Sequence, residues 1–370
     1  MQIDILYNIR KTVRIFVYII WYLHGVCLFS RGGQMKKQRI PEVSWNAKDG
    51  EIYERLSDNE VFADLFNGVV FQGEEIIKPE YLEEMNEKKQ LKIPGRDGQP
   101  VVIKKLRDVQ KACGLDGSLL GIMLAAEGQR TVHYGMPVRH MLYDAVDYTK
   151  QMLDLEKKHR RGRDLSPGAE FLSGMRREDR LRPIITLALF YGEDQLWDGP
   201  MCLHDMLELP KALEPWKTYI PNYPLNLVYS GNVCPENFRT GLREVFELLR
   251  VAKDKDSMEE FLRENQERYR NLDWKKGELI GDFLDVPLIK DNADAIRTEE
   301  GGMNMCTAFQ QMRREGEVEG KRMGEEKLSS LMQFLFHDNR IEDLQKASLD
   351  AGYREVLYKE YGLDHEELPD

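Results

Sequence analysis

Val101-Val102-Ile103-Lys104-Lys105-Leu106-Arg107-Asp108-Val109 is followed, after a turn at Gly114-Leu115-Asp116-Gly117, by Ser118-Leu119-Leu120-Gly121-Ile122-Met123-Leu124-Ala125-Ala126. The second arm runs straight into Glu127-Gly128-Gln129. Two apolar arms about a glycine-bearing turn read as a hairpin at the centre of a covered sheet, with polar groups at the ends. Side chains alternate along a strand, so Glu127 and Gln129 point the same way. With Asp108 opposite them, two carboxylates and an amide converge at one sheet edge. Two hard oxygen donors at such a point suit magnesium.

Downstream, Arg130 to Tyr134 continues the strand, and Gly135-Met136-Pro137 opens a long helix to about Lys158. Pro137 fits the first turn, where no intrahelical N–H is needed. Met141, Leu142, Ala145, Tyr148 and Met152 mark the expected buried face of this helix. Arg182 to Gly192 is the clearest buried strand. Strand, helix, strand is a crossover, so part of the sheet is expected to be parallel. Leu203 to Leu209 reads as a short helix and Leu225 to Val228 as a short strand. From Arg239 the chain is helical.

Upstream, residues 41–94 read as mostly helical. Ser57-Asp58-Asn59-Glu60 offers N-caps before Val61, Phe62, Leu65, Phe66 and Val69, one apolar face at helical spacing. A second, charged helix is expected after Pro79, from Glu80 to Met85. At the other end, Arg313 to Lys327 is charged and glycine-bearing, a solvated helical linker. It leads to an apolar stripe, Leu328, Leu331, Met332, Leu335 and Phe336, and a small helical tail.

The chain has 370 residues, 42% hydrophobic and 32% charged, a globular composition. Its net charge of -11 argues against a protein that coats nucleic acid, but leaves room for an enzyme with a local basic groove. Lys157, Lys158, Arg160, Arg161, Arg163, Arg176, Arg177, Arg180 and Arg182 form such a local cluster; the plainer reading is a solvated face. Five cysteines without a Cys-x-x-Cys pair point away from disulfides and structural zinc, and toward a reducing cytoplasm.

Residues 1–34 stand apart. Ile15 to Ser30 is uncharged and follows Arg10, Lys11 and Arg14, as in a short membrane anchor or signal core. Alternatively translation starts at Met35, whose Lys36-Lys37-Gln38 follows as in an ordinary start. The second reading is the expectation here; membrane attachment is expected only if residues 15–30 are a genuine anchor.

Several pieces in fixed order resemble the recombination-promoting nuclease and putative transposase family, a branch of the PD-(D/E)XK nuclease superfamily. They are Phe62-Ala63-Asp64-Leu65-Phe66-Asn67, Leu106-Arg107-Asp108-Val109, Glu127-Gly128-Gln129, Met136-Pro137-Val138-Arg139, Leu142-Tyr143-Asp144, Ile184 to Gly192 and Trp197-Asp198-Gly199-Pro200. The charged linker and short helical pair at the C-terminus are similar too. The resemblance implies an α/β fold: a restriction-endonuclease-like mixed sheet flanked by helices, with a helical C-terminal tail. It divides the chain into a nuclease domain at 35–295 and a linker with helical tail at 296–370. It implies a magnesium-dependent DNA endonuclease linked to transposition or recombination. Asp108 and Glu127 are then the Mg2+ ligands, and Gln129 stands where the superfamily has a lysine that positions water. A glutamine orients water but neither takes a proton nor carries charge. Two further departures are Ala125-Ala126 in place of Gly-Ile, and Gly128 in place of an asparagine.

Of the other groups, Glu60 or Asp64 could add a third acid, with a helix cap or exposed face as the plainer role. Arg139 could contact DNA phosphate or pair with Asp144, and Arg161 and Arg163 belong to the candidate groove wall. The alternative to an enzyme is a catalytically inactive nuclease-fold protein that acts through DNA or protein interaction, with self-association through the C-terminal helices.

Overall fold

The computed structural model describes residues 47–85, 91–94, 100–103, 108–114, 122–192 and 196–363. The N-terminal hydrophobic run, Lys104 to Arg107 and the hairpin turn at Leu115 to Gly121 lie outside the described residues. The fold is mixed α/β. The chain divides into two compact units: one runs to Asn265 and includes Asp273–Asp285, and the other comprises Gln266–Leu272 and Val286–Asp370.

The first unit is built on a five-stranded mixed sheet in the order β1 (Leu82–Glu84), β4 (Val109–Cys113), β5 (Ile122–Gln129), β6 (Ile184–Phe190), β7 (Leu227–Val228). β4 and β5 pair antiparallel, with Val109 opposite Ala126 and Cys113 opposite Ile122. β5 and β6 pair parallel, Glu127 opposite Ala188, across a long helix α3 (Met136–Gly162). That is the expected crossover.

The first arm of the expected hairpin is split. β3 (Pro100–Ile103) pairs with β2 (Leu91–Pro94) in a separate two-stranded sheet, and only Val109–Cys113 pairs with β5. A β-rich run carries no label for its partner. The expected charged helix after Pro79 is a single 3-10 turn, Pro79–Tyr81, followed by the edge strand β1. Its one buried side chain is Leu82, and its charges face outward, which suits a short sheet edge.

One face of the sheet is apolar. Helix α1 (Ala47–Ser57) and helix α2 (Asn59–Val69) cover it with Ile52, Leu56, Phe62, Leu65 and Phe66, all at most 1% exposed. Each such side chain contributes roughly 1.5–3 kcal/mol by leaving water. Asp58 caps α2 through the Glu60 and Val61 N–H groups, as the sequence indicates. Lys111 is buried on the same face of β4. Its Nζ donates to the Ser57 carbonyl and the Asn59 side-chain oxygen, tying the strand to the α1–α2 junction. Burial pulls this ammonium below its ordinary value.

The opposite face is covered by α3, and its contact is polar. The residues α3 buries are Met136, Pro137, Val138, His140, Tyr143, Asp144, Asp147 and His159. Thr186 Oγ1 donates to Asp144 Oδ1 at 2.8 Å, Tyr223 also donates to Asp144, and Gln110 Nε2 donates to Asp147 Oδ2 at 2.7 Å. Gln151 is bonded to both the N–H and the carbonyl of Arg182. The expected apolar face is therefore not the covered one: Ala145 is exposed and Met152 is 44% exposed. Polar side chains win the sheet-facing stripe because Asp144, Asp147 and Gln151 each meet a hydrogen-bond partner there.

Helices α4 (Ala169–Ser173), α5 (Leu242–Val251), α6 (Lys255–Glu264) and α8 (Trp274–Leu284) belong to the first unit. The second unit is helical: α7 (Gln266–Tyr269), α9 (Pro287–Asn292), α10 (Met305–His337), α11 (Ile341–Leu349) and α12 (Ala351–Glu360). Leu331, Leu335, Ala347, Leu357 and Tyr358 form its distal core. The middle of α10 is exposed and laced with Glu–Arg pairs, as expected of a solvated helical linker. Among the described residues no helix is long and apolar enough to cross a membrane.

Candidate functional site

The site begins where the β4–β5 ladder ends. Val109 and Ala126 are the last paired positions, so the next residues outward are Asp108 and Glu127. The Gly128 N–H donates to Asp108 Oδ2 at 3.1 Å, which holds the aspartate against the end of β5. Two acids far apart in the sequence thus become neighbours. Strand alternation puts Glu127 and Gln129 on the α3 side of the sheet. Glu127 is fully buried, whereas Asp108 and Gln129 are half-buried.

Gly128 points to the other face. A Cβ there would lie 3.3 Å from Ile52 Cγ2 and 3.3 Å from Tyr191 Cε1. Tyr191 in turn packs edge-on against Phe283, at 5.6 Å between ring centres. A side chain at this position would need Ile52 and Tyr191 to give way by a few tenths of an ångström.

The first turns of α3 bring a cation to the acids. Arg139 Nη2 lies 3.4 Å from Glu127 Oε2, and Arg139 Nε donates to the Tyr143 hydroxyl at 2.7 Å. The guanidinium stands over the Tyr143 ring, 5.5 Å from its centre. Burial alone would lower the Arg139 pKa, but Glu127, Tyr143 and Asp108 together hold it above its ordinary value. Burial pushes the Tyr143 phenol up; Arg139 works against that shift, and Glu127 and Asp108 add to it. His140 Nε2 is 3.9 Å from Glu127 Oε2. Asp144, the alternative partner for Arg139, is instead engaged by Thr186 and Tyr223.

Tyr143 and His140 are site residues that residue-type reasoning passed over. For His140 the signal lay in the spacing. His140, Asp144, Asp147 and Gln151 recur at four, three and four positions, a polar stripe where an ordinary helix would carry its apolar one.

Neither expected third acid is here. Asp64 is 5% exposed and accepts from the Arg239 and Thr240 N–H groups, both at 2.8 Å, and from the Thr240 hydroxyl. It anchors the entry to helix α5 (Leu242–Val251). Glu60 is exposed and pairs with Lys275 at 3.7 Å. Among the described residues no group of three or more His, Cys, Asp or Glu side chains is arranged to hold a metal ion.

Arg161 and Arg163 stand exposed at the C-terminal end of α3, Arg163 as its left-handed cap. The loop that follows is stapled to the helix by His159, whose Nδ1 is 2.9 Å from Asp164 and whose Nε2 is 3.0 Å from Asp179. Arg176 is drawn into this knot by Asp164 and Glu178, and Arg160 pairs with Glu156. Lys157, Lys158, Arg161, Arg163 and Arg177 make no side-chain ion pair among the described residues.

Comparison of the chain with protein-family models, with curated proteins and with solved structures finds no match.

Proposed function

We propose that this chain is a magnesium-dependent DNA endonuclease, working in a reducing cytoplasm on DNA that is being rearranged or transposed. In this reading the mixed sheet is of the restriction-endonuclease kind. The observation that carries it is the adjacency of Asp108 and Glu127 at the end of the β4–β5 ladder, with Arg139 against them.

The donor set fits the metal. Magnesium prefers carboxylate oxygens, keeps several of its own waters and needs only one or two protein ligands. A paired Asp and Glu meets that need, and Glu127 already has a cation beside it. Bound there, magnesium would relieve charge at a scissile phosphate and lower the pKa of a water.

The chain's own groups divide the remaining work. Asp108 is fixed by the Gly128 N–H and presents an oxygen at the strand end. Gln129, on the same side as Glu127, orients water through its amide. Asp108 and Glu127 are the residues that would hold the metal, and Arg139, beside Glu127, is the cation that would contact a backbone phosphate.

Nicking of supercoiled DNA in the presence of magnesium tests the reading. Asp108→Ala and Glu127→Ala should each abolish it. Metal-dependent cleavage that survives both changes refutes the site.

One observation favours a second reading, a nuclease-fold protein that acts by interaction alone: Glu127 has no solvent exposure and is already paired with Arg139. Absence of cleavage, with self-association lost on removal of residues 313–370, supports that reading.

A further inference from the structure

Helix α3 joins two places of interest. Near its start Arg139 touches Glu127, and in its last turns it carries exposed Lys157 and Arg161. These residues share a flank. At 3.6 residues per turn, Lys157 falls on the line through Arg139, Lys150 about 20° from it and Arg161 about 40° from it. The sheet-facing stripe of His140, Asp144, Asp147 and Gln151 is centred about 110° round, so the line is lateral to that stripe, and at Lys157 and Arg161 it is exposed. Asp154 is the acid nearest the line, about 60° away.

Lengths matter as much as direction. With a rise of 1.5 Å per residue, Lys157 is about 27 Å and Arg161 about 33 Å along the axis from Arg139. One turn of B-form DNA is about 34 Å. The chain is acidic overall, with a net charge of -11, so a line of cations here is segregated against the background. Lys157 and Arg161 spend their charge on no side chain of this protein among the described residues.

We propose that this flank of α3 is a phosphate rail. It seats a DNA duplex so that the backbone is gripped about one helical turn away from Asp108 and Glu127. The proposal rests on the DNA reading above and adds the form and minimum length of the substrate. Duplex, rather than a compact anion, is the occupant that fits, because the cations are strung along a line and not gathered around a point.

The test is binding without cleavage. The full chain, in EDTA at low salt, is titrated into fluorescent duplexes of about 8 and about 20 base pairs, shorter and longer than one turn of about 10 base pairs. The wild type should prefer the longer duplex. Lys157→Glu with Arg161→Glu should weaken binding to it roughly tenfold or more. It should lower the slope of log affinity against log salt by about two, and leave the short duplex little affected. Both side chains are exposed, and an unchanged circular dichroism melt confirms that the variant folds.

Equal losses on the two lengths, or none, overturn the rail while leaving the nuclease reading intact. So does binding to anionic phosphatidylglycerol vesicles that depends on the two residues when DNA binding does not. If the wild type binds neither duplex, the DNA reading itself fails.

Discussion

Arg139 Nη2 lies 3.4 Å from Oε2 of Glu127, and the glutamate is wholly shielded from water. A buried carboxylate is tolerable only with partners, and one of them here is a cation on a different element. Whatever binds between Asp108 and Glu127 must therefore contend with that guanidinium.

Arg139→Gln should destabilise the protein by about 3 kcal/mol, because it removes a cation from beside a fully buried carboxylate. Urea unfolding measures this. If the acids take magnesium, added Mg2+ should restore more stability to the variant than to the wild type, since ligand bound only by the native state stabilises it. Adding Glu127→Gln should abolish the magnesium response. A variant as stable as the wild type would show that the ion pair is incidental.

Gly128→Asn should weaken this chain by roughly 1–3 kcal/mol. The new side chain would meet Ile52 and Tyr191, each 3.3 Å from the position of a Cβ. Ile52→Ala should cost less in the Gly128→Asn background than in the wild type, read in thermal melts. An unaffected melt for the single variant would mean that the neighbours move aside freely.

The hydrogen bond from His159 holds the Asp164 carboxyl below its ordinary value of 3.8. A depressed carboxylate contributes stability that is complete above its unfolded value and is lost as pH falls through the folded one. Acid should therefore loosen the loop after α3 at a pH below 3.8. Asp164→Asn should remove this component of the acid transition and make the loop protease-sensitive at neutral pH. An identical pH profile for the variant would dissolve the link.

In α10, Gly316, Gly320 and Gly324 have nothing within 4 Å of an added Cβ. Each Gly→Ala change should stabilise the helix by roughly 0.5–1 kcal/mol, by propensity alone. Helicity and melting of the full chain read the effect. A loss of stability would reveal a contact that needs the bare backbone.

How much of this was legible in advance depended on whether a residue's partner could be read from its neighbours. The β4–β5 pairing and the crossover to β6 follow from apolar runs separated by a turn and a helix, and the meeting of Asp108 with Glu127 follows from that register. The split first arm did not show, because Val101 to Ile103 is as good a strand for β2 as for β5. The covered face of α3 was misread because its anchors are His140, Asp144 and Asp147, polar residues that become interior only once Gln110, Thr186 and Tyr223 arrive from other parts of the chain. Asp64 looked like a possible third acid for the same reason: its partners at Arg239 and Thr240 are remote in the chain.

The layer between α3 and the sheet has a mechanical consequence. Greasy surfaces can slip by a fraction of an ångström and lose little, whereas directional bonds to Asp144, Asp147 and Gln151 weaken steeply with misalignment. The helix is thus pinned like a keyed shaft, against both rotation and sliding. Repacking those positions with leucine could yield a tougher protein whose arginine no longer points true.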